Sequence, residues 1–383
     1  MKPIRIVYIS HAPGKGSGAE QSLSETLQAL NRNYIEPFII CPPGAAIVNI
    51  AKRVEIPVIE CRMARISLNR FVARLSFLIT APLWIKKIRN LHPDIIHCNS
   101  LTAGEYGLVV STFLGVPCAV HVRTSGMGKI TLQLFRWARK RLTFLYVSRY
   151  VRNMVAPMLG EPIDEGRVIY NFRVHFKLDQ VKKILLKESL GVNKNDLIVC
   201  TIGRVTEQKG QREFIEAGLG YTGPGHVYWF VVGDNWGVTD PKYYNDLYKL
   251  VEIEGNPKVR MLGYRLDARS IIDIADIVVL ASYEDSFPGV ILEAMDSSKP
   301  VIAMQYDSGA AEMVINGETG YLLTERSASK IAEAVRKLAD NSKLRRQMGC
   351  AANILFQHKF SVQSHIMALG KIYTEMLNHK SNF

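Results

Sequence analysis

The strongest constraint on the fold is a repeated alternation of short apolar runs with longer helical patterns. In the first half of the chain, helical segments such as 19–31, 68–91 and 102–114 separate the apolar runs. Near-continuous apolar strands that alternate with helices are typical of parallel sheets built from βαβ units. The predicted strands of this half are 4–10, 37–41, 58–61, 95–98, 118–122, 144–147 and 168–170.

The same alternation starts again after residue 191. Six further strands are predicted at 197–202, 228–232, 259–262, 277–280, 301–303 and 321–323. A chain of 383 residues is too long for one ordinary core. We therefore expect an α/β protein with two Rossmann-like domains, residues 1–173 and 174–361. The last helix, within 362–383, is expected to cross back to the first domain.

Targeting signals and cysteine pairs are both missing from the sequence. Residues 1–10 run directly into a predicted strand, so we expect no secretory signal, and no apolar stretch reaches the length of a membrane span. The six cysteines are scattered without a Cys-x-x-Cys pair, which indicates neither a zinc site nor a disulfide framework. We therefore expect a cytoplasmic protein with no bound metal.

The positive charge is concentrated in the first half. Residues 1–175 contain 23 Lys and Arg against 10 Asp and Glu, whereas residues 176–383 contain 25 of each. Two segments, 62–89 and 123–152, carry seven and eight basic residues and no acid. Such a field favours an anionic partner. Because no nucleic-acid-binding motif accompanies the charge, we expect no nucleic-acid partner.

A glycine-rich loop follows the first predicted strand. Residues 14–19 (GKGSGA) match a dinucleotide-binding pattern only weakly, because the acid expected near the end of the second strand is missing. The loop is either a flexible connection or a place where bare N–H groups, up to Gly18, approach a phosphate or sugar.

Two cations lie on a glycine-bounded loop after the first strand of the second domain. Residues 203–210 read GRVTEQKG, with Arg204 and Lys209 five residues apart. The carboxyl ends of strands are where open α/β sheets bind ligands. Arg supplies a planar fork for phosphate oxygens, and Lys supplies a movable point charge. This loop therefore predicts a diphosphate site.

Two carboxylates flank a Pro-Gly turn that opens a helix. Residues 283–295 read YEDSFPGVILEAM and place Asp285 eight residues before Glu293. Glu293 lies in an apolar run, where a carboxylate needs a partner, and ribose hydroxyls are one such partner. The N–H groups of residues 287–290 lie at the helix start and are expected to meet a phosphate. Asp285 would then reach the sugar.

The motifs at 203–210 and 283–295, together with residues 309–320 (GAAEMVINGETG), resemble those of the retaining glycosyltransferases of family 4. Members of that family have two Rossmann-like domains facing a cleft, the GT-B fold. The resemblance implies a nucleotide-sugar donor in the second domain, an acceptor in the first and no metal. It also implies that residues 263–266, including Arg265, lie against the base. The residues and the resemblance together give the expected donor-binding set: Gly18, Arg204, Lys209, Arg265, Asp285, Ser286, Phe287, Pro288, Gly289, Val290 and Glu293.

The resemblance has two departures near the reacting sugar. The first carboxylate is Asp285, where the family usually has Glu. At the end of the strand 118–122 the family commonly has His, and this chain has Arg123. We expect Asp285, Arg123, Arg204 and Lys209 to form the catalytic set. His121 is expected to point to the opposite face from Arg123. Weaker candidates for substrate contact are His11, His97, Asn99 and Ser100.

The basic first domain is expected to contact an anionic membrane. Apolar residues recur at helical spacing in 70–79 beside Arg70 and Arg74, and Trp84 with the basic residues of 86–89 would add further anchors. A surface helix packed on the first sheet explains the same pattern.

The resemblance implies a retaining, metal-independent glycosyltransferase, and the basic first half places it, by expectation, at the inner face of the cytoplasmic membrane. It would transfer a sugar to a lipid-linked or other membrane-proximal saccharide acceptor in surface polysaccharide or lipopolysaccharide synthesis. The alternatives are a nucleotide-sugar epimerase and a non-catalytic protein that binds a nucleotide-sugar or a lipid. A nicotinamide oxidoreductase would depend only on the weak glycine loop.

Overall fold

The computed structural model of the chain describes residues 2–11, 18–63, 81–165, 167–235, 240–306 and 308–379. The chain divides into two compact units. The first unit contains Met1–Phe172 and Val362–Phe383, and the second contains Arg173–Ser361.

The first unit is built on a seven-stranded, all-parallel sheet in the order β3-β2-β1-β4-β5-β6-β7. Its strands are β1 Ile4–Ile9, β2 Ile35–Cys41, β3 Val58–Glu60, β4 Ile95–Cys98, β5 Cys118–Val122, β6 Leu142–Tyr146 and β7 Arg167–Val168. Its helices are α1 Gly18–Ala29, α2 Ala46–Arg53, α3 (described over 81–89), α4 Leu101–Leu114, α5 Lys129–Ala138, α6 Arg149–Leu159 and, at the chain end, α14 Val362–His379.

The second unit is built on a six-stranded parallel sheet in the order β10-β9-β8-β11-β12-β13. Its strands are β8 Leu197–Ile202, β9 Val227–Val232, β10 Val259–Met261, β11 Ile277–Leu280, β12 Val301–Met304 and β13 Gly320–Leu323. Its helices are α7 Gln180–Ser189, α8 Gln211–Leu219, α9 Lys242–Glu254, α10 Ala268–Ile274, α11 Gly289–Asp296, α12 Ala328–Asp340 and α13 Ser342–Lys359.

The predicted α/β class and both parallel sheets are confirmed. The central strands are buried on both faces, so they read as apolar runs, and each predicted strand is present with ends within two residues. The last helix joins the first unit, because Leu369, Tyr373 and Met376 of α14 belong to the same buried cluster as Ile6 of β1. No helix in the described part of the chain has both the length and the apolarity to cross a bilayer.

Candidate functional site

Three glycines form a bare patch of backbone at the carboxyl edge of the second sheet. Gly203, Gly233 and Gly263 follow β8, β9 and β10, and the N–H of Gly233 donates to the carbonyl of Gly263 at 2.8 Å. A Cβ on Gly233 would lie 1.9 Å from the carbonyl oxygen of Gly203, so the chains approach closely there. Positions 203 and 263 face open space. The edge therefore carries no side chain at these three positions, and the N–H groups of Gly203 and Gly233 already donate to the carbonyls of Val232 and Gly263.

The two predicted cations leave this edge on one loop. Val205 is buried and its N–H donates to the carbonyl of Asp234 at 2.7 Å, which fixes the loop against the end of β9. Arg204, next to it, is exposed. The loop ends in a single 3-10 turn, Glu207–Lys209, followed by Gly210 at φ 71°. A Cβ at position 210 would lie 2.3 Å from the carbonyl oxygen of Ala281, so this close approach to β11 requires glycine.

Lys209 and Asp285 meet across the edge. The Lys209 ammonium donates to both carboxylate oxygens of Asp285, at 2.7 and 2.8 Å. The side chains are 25% and 16% exposed, so the pair is largely shielded but reachable. Lysine has three N–H donors, so this contact leaves one donor for a further acceptor. The structure thus brings together one residue from each of the two motifs, 203–210 and 283–295.

The start of α11 lies directly beside this pair. Pro288 precedes the helix and Phe287 is buried, with its ring centroid 5.6 Å from that of Phe360. The N–H of Gly309 donates to the carbonyl of Asp285 at 2.7 Å, and a Cβ there would lie 2.0 Å from the carbonyl oxygen of Ser286. Gly309 therefore packs closely against the backbone of residues 285 and 286 and is hydrogen-bonded to it. The partly exposed backbone at Gly289 and Val290 presents the helix N-terminus beside Asp285.

Glu293 has a protein partner that the sequence analysis did not identify. The Nε of Arg173 donates to Oε1 of Glu293 at 3.0 Å, and the two side chains are 5% and 12% exposed. A Cβ on Gly289 would lie 1.9 Å from a terminal guanidinium nitrogen of Arg173, so Arg173 packs under the first turn of α11. The only signal in the sequence was the need of a carboxylate in an apolar run for a partner.

Arg326 contacts both the segment that carries Lys209 and the segment that carries Asp285. One guanidinium nitrogen donates to the carbonyl of Glu207, in the turn that carries Lys209, at 3.1 Å. The other forms a 2.8 Å ion pair with Glu213 of α8. The guanidinium carbon lies 3.3 Å from the centroid of the Tyr283 ring, two residues before Asp285. This buried arginine was also missed, because it comes from a loop without a recognisable pattern.

The segment expected to meet a base carries an internal ion pair. Arg265 contacts Asp267 with two hydrogen bonds of 2.9 and 2.7 Å, and this guanidinium holds the pKa of the Asp267 carboxyl below its usual range. The neighbouring side chains Tyr264 and Leu266 are 61% and 92% exposed. They offer flat and apolar surface beside Gly263.

In the first unit, Arg123 is held rigidly at the end of β5. It donates to the carbonyl and side-chain oxygens of Asn99 at 2.9 and 2.8 Å, and to the side-chain oxygen of Asn171 at 2.8 Å. The predicted orientation of His121 is wrong: its Nδ1 lies 3.2 Å from an Arg123 guanidinium nitrogen. Alternation along a strand has a period of two, so residues 121 and 123 share a face.

The weaker candidates make contacts within the first unit. His97 is buried, its Nδ1 lies 2.7 Å from the Tyr373 hydroxyl, and burial lowers its pKa to about 3. Ser100 caps α4 by accepting from the N–H of Ala103 at 3.2 Å. His11 is half-buried against Tyr106, with ring centroids 6.1 Å apart.

Two predictions concern residues outside the described ranges, and the prediction that Trp84 is a membrane anchor is wrong. The glycine loop is described only from Gly18, which is exposed at the start of α1, and 70–79 of the proposed membrane segment is likewise outside. Trp84 is not a membrane anchor, because it is 3% exposed and its ring packs 5.0 Å from that of Tyr106.

Two family models match successive parts of the chain. Glycosyltransferase Family 4 matches residues 16–173, and Glycosyl transferases group 1 matches residues 182–354. One match falls in each half of the chain, and both agree with the family resemblance found in the sequence. The epimerase and non-catalytic alternatives gain no support from these comparisons.

Relatives and solved structures agree with these models. The chain is 27% identical to alpha-D-kanosaminyltransferase of Streptomyces kanamyceticus, over 73% of this chain and 76% of the relative. It is 24% identical to the N,N'-diacetylbacillosaminyl-diphospho-undecaprenol alpha-1,3-N-acetylgalactosaminyltransferase of Campylobacter jejuni, over 89% and 91%. The Anabaena protein HepE, solved with UDP-glucose, superposes with a TM-score of 0.82 at 21% identity, over 97% of this chain and 100% of HepE.

Proposed function

Because the chain belongs to glycosyltransferase family 4 and has the two-domain GT-B fold, we propose that it is a retaining enzyme that acts on a lipid-linked acceptor. The reaction would move one sugar from a nucleotide-diphospho-sugar to an acceptor hydroxyl during surface polysaccharide assembly. The observation that carries the proposal is the meeting of Lys209 and Asp285 beside the start of α11. The Campylobacter relative, whose name specifies a diphospho-undecaprenol acceptor, supports the acceptor class.

The donor diphosphate is assigned to the edge of the second sheet. Arg204 is exposed there, and Lys209 keeps one donor beyond its contact with Asp285. The N–H groups at Gly289 and Val290 add the partial positive charge of a helix N-terminus. Arginine, lysine and a helix end are the groups that stabilise phosphate charge without proton transfer.

The nucleoside is assigned to the bare glycine edge and to Glu293. Arg173 takes Oε1 of Glu293, which leaves Oε2 available to accept from ribose hydroxyls. The exposed ring of Tyr264, beside Gly263, supplies a face for the base. Arg265 then acts through its bond to Asp267, which shapes this segment.

The chemistry follows from where charge develops. The bond from the sugar C1 to the β-phosphate oxygen breaks, and a bond from C1 to the acceptor oxygen forms on the same face. The acceptor proton leaves with the departing diphosphate, whose growing charge Arg204, Lys209 and the start of α11 stabilise. Asp285 orients the sugar hydroxyls. We assign Arg123 to the acceptor, because the family resemblance places the acceptor in the first unit, where Asn99 and Asn171 hold the guanidinium of Arg123 in place.

The reaction is proposed to need no metal. Within the described ranges, no group of three or more His, Cys, Asp and Glu side chains is placed to hold a metal ion. We infer from the exposed Arg204, from Lys209 and from the start of α11 that cationic side chains and the helix end carry the charge of the diphosphate. The basic first unit would bring the enzyme to an anionic membrane that contains the acceptor.

The test is transfer by the purified enzyme. Labelled UDP- and GDP-sugars are offered with a polyprenyl-diphosphate saccharide, with and without EDTA, and the anomeric configuration of the product is read by NMR. We expect transfer from one donor with retained configuration and no loss in EDTA. Inverted configuration of the product, or loss of activity in EDTA, would overturn the proposed mechanism. Binding of the donors without any sugar transfer would overturn the assignment of this protein as an enzyme.

Thermal unfolding with nucleoside diphosphates tests the donor site separately. A ligand at about 100 times its dissociation constant adds about 2.7 kcal/mol to the free energy of unfolding. We expect a shift with one nucleoside diphosphate for the wild type and little shift for Arg204→Ala. An equal shift in both proteins would place the diphosphate elsewhere.

A further inference from the structure

We propose that the outward face of helix α5 and the turn after it bind an anionic lipid bilayer. This surface, here called the α5 surface, consists of Lys129, Gln133, Arg136, Trp137 and Lys140, all exposed. The inference rests on the proposed function, which supplies a membrane-bound acceptor. It places the contact on a different element from the segment around residues 70–89 that the sequence suggested.

The α5 surface is one continuous stripe. Lys129, Gln133, Arg136 and Lys140 recur every three or four residues, and Trp137 lies four residues after Gln133, which is the spacing of one helical face. Thr131, Phe135 and Ala138 occupy the opposite face and are buried. The helix is thus anchored to the first unit on one side, and the basic and aromatic side chains all stand on the other.

Two exposed aromatic side chains lie at equivalent ends of neighbouring helices. Trp137 is 76% exposed and Phe113 of α4 is 72% exposed. Each lies five residues before the first residue of the next strand, Leu142 or Cys118, and these two residues are paired in adjacent strands. The helices α4 and α5 therefore end side by side at one edge of the sheet. An exposed tryptophan among basic residues suits the membrane interface, where its ring lies at headgroup depth.

The charge of this region fits an anionic surface. The segment 123–152 contains eight basic residues and no acid. Among the described residues, no carboxylate forms an ion pair with Arg136, Lys140 or Arg141. The next acids along the chain lie beyond α6, where Glu161 accepts a hydrogen bond from the Tyr146 hydroxyl. Basic side chains without acidic partners are the group that anionic headgroups attract.

A second exposed apolar stripe lies beside basic residues that are already bonded to other groups. Val181, Ile184 and Leu185 of α7 are 66%, 55% and 57% exposed. Lys182 and Lys183 of α7 form ion pairs with Asp179 and Asp273, at 3.2 and 3.0 Å. The ammonium of Lys187 lies 3.5 Å from the carbonyl oxygen of Asp196. The α5 surface is therefore the better match to an anionic bilayer.

The experiment is co-sedimentation of the full chain with vesicles. One set contains phosphatidylglycerol and phosphatidylcholine, and the other contains phosphatidylcholine alone. The charge variant is Arg136→Gln with Lys140→Gln, and its matched control is Lys52→Gln with Arg53→Gln. The control pair is exposed at the end of α2 in the same unit and removes the same two side-chain types.

The aromatic variant is Trp137→Ser, and its matched control is Tyr34→Ser, at a side chain that is 64% exposed in the same unit. Each basic side chain near an anionic bilayer contributes roughly fivefold to partitioning. We expect the charge variant to bind phosphatidylglycerol vesicles at least about tenfold more weakly. Trp137→Ser should weaken binding at least about threefold, and neither control should lose more than about twofold. Unchanged thermal unfolding shows that the variants fold.

Several results would overturn the proposal. They are equal binding to neutral vesicles, equal losses in the control variants, or wild-type-like binding by both α5 variants. Self-association in sedimentation velocity that disappears in Trp137→Ser would assign the surface to a second copy of the chain instead. Transfer to a detergent-dispersed acceptor separates the two proposals. If transfer persists without vesicle binding, only the α5 surface fails, and if α5-dependent vesicle binding persists without transfer, only the proposed function fails.

Discussion

The ammonium group of Lys209 lies within 2.7 and 2.8 Å of the two carboxylate oxygens of Asp285, 76 residues further along the chain. Parallel topology explains the meeting, because β8 and β11 are neighbours and their carboxyl ends lie at the same edge. A cation assigned to the leaving diphosphate is thus tied to the carboxylate assigned to the sugar. Loss of either group is expected to affect catalysis more than donor binding.

Replacement of Lys209 by Ala tests this tie. Removing one preorganised donor from a developing anion typically lowers kcat by about 10²–10³-fold. We expect Lys209→Ala to fall in that range with a smaller change in donor KM, measured by steady-state transfer. The control is Arg212→Ala, three residues along the chain, whose side chain is 42% exposed in a 3.8 Å pair with Glu216. A kcat within threefold of wild type for Lys209→Ala would remove it from the catalytic set.

Arg173 and Glu293 form a buried pair whose two members are expected to respond differently to substitution. Breaking a buried pair by removing one partner costs about 3–5 kcal/mol, because the remaining charge is left unpaired. Arg173→Ala should therefore lower the unfolding midpoint markedly. Glu293→Gln keeps the shape and an acceptor oxygen for Arg173, so stability should fall less while donor KM rises about tenfold. Unchanged donor KM in Glu293→Gln would leave Glu293 with a structural role only.

The glycine edge makes a prediction about packing. At position 233 a Cβ would lie 1.9 Å from backbone, whereas at position 203 it would meet open space. Both glycines have positive φ, 139° and 153°, so each substitution by Ala carries backbone strain of about 1–3 kcal/mol. Gly233→Ala adds the steric clash and should be clearly the more destabilising in chemical denaturation. Equal losses of stability in the two variants would mean that the loops separate easily at this edge.

The sequence predicts the strands and the motif residues of the site, but not the buried arginines that hold those residues in place. The strands were predictable because parallel strands buried on both faces are near-continuous apolar runs, and the motif residues lie at their ends. Arg173 and Arg326 were not predictable, because each is an isolated basic residue in a loop whose hydrogen-bond acceptor, Glu293 or Glu207, lies 120 or 119 residues away. Helix α13 was not predicted, since only Met348, Gly349, Ala352 and Phe356 of its 18 residues are buried.

Arg326 is expected to act as a positioning residue. It holds the Glu207 carbonyl and the Tyr283 ring, and so fixes the segments that carry Lys209 and Asp285. Arg326→Ala should lower kcat about tenfold or more with little change in donor KM, whereas Arg326→Lys should restore part of kcat through the Glu213 pair. Equal kcat values for Ala and Lys at matched stability would show that the ion pair contributes nothing to positioning.

Buried histidines of the first unit make its stability depend on pH. Burial lowers the pKa of His97 to about 3 and of His365 to about 4, against about 6.5 in the unfolded chain. Below pH 6.5 the unfolded chain therefore binds more protons than the folded one, so stability is full above that pH and falls as the pH drops toward 4. The slope for one such histidine approaches about 1.4 kcal/mol per pH unit.

The test compares wild type with His365→Gln by chemical denaturation between pH 7.5 and 5. An amide side chain can still serve the Tyr170 carbonyl, 2.7 Å from Nδ1 of His365, or the Thr26 hydroxyl, 3.2 Å from Nε2. The variant should lose less stability over this interval, by about 1–2 kcal/mol, because one proton-binding difference has been removed. Identical slopes in the two proteins would show that His365 is protonated to the same extent in the folded and unfolded chain.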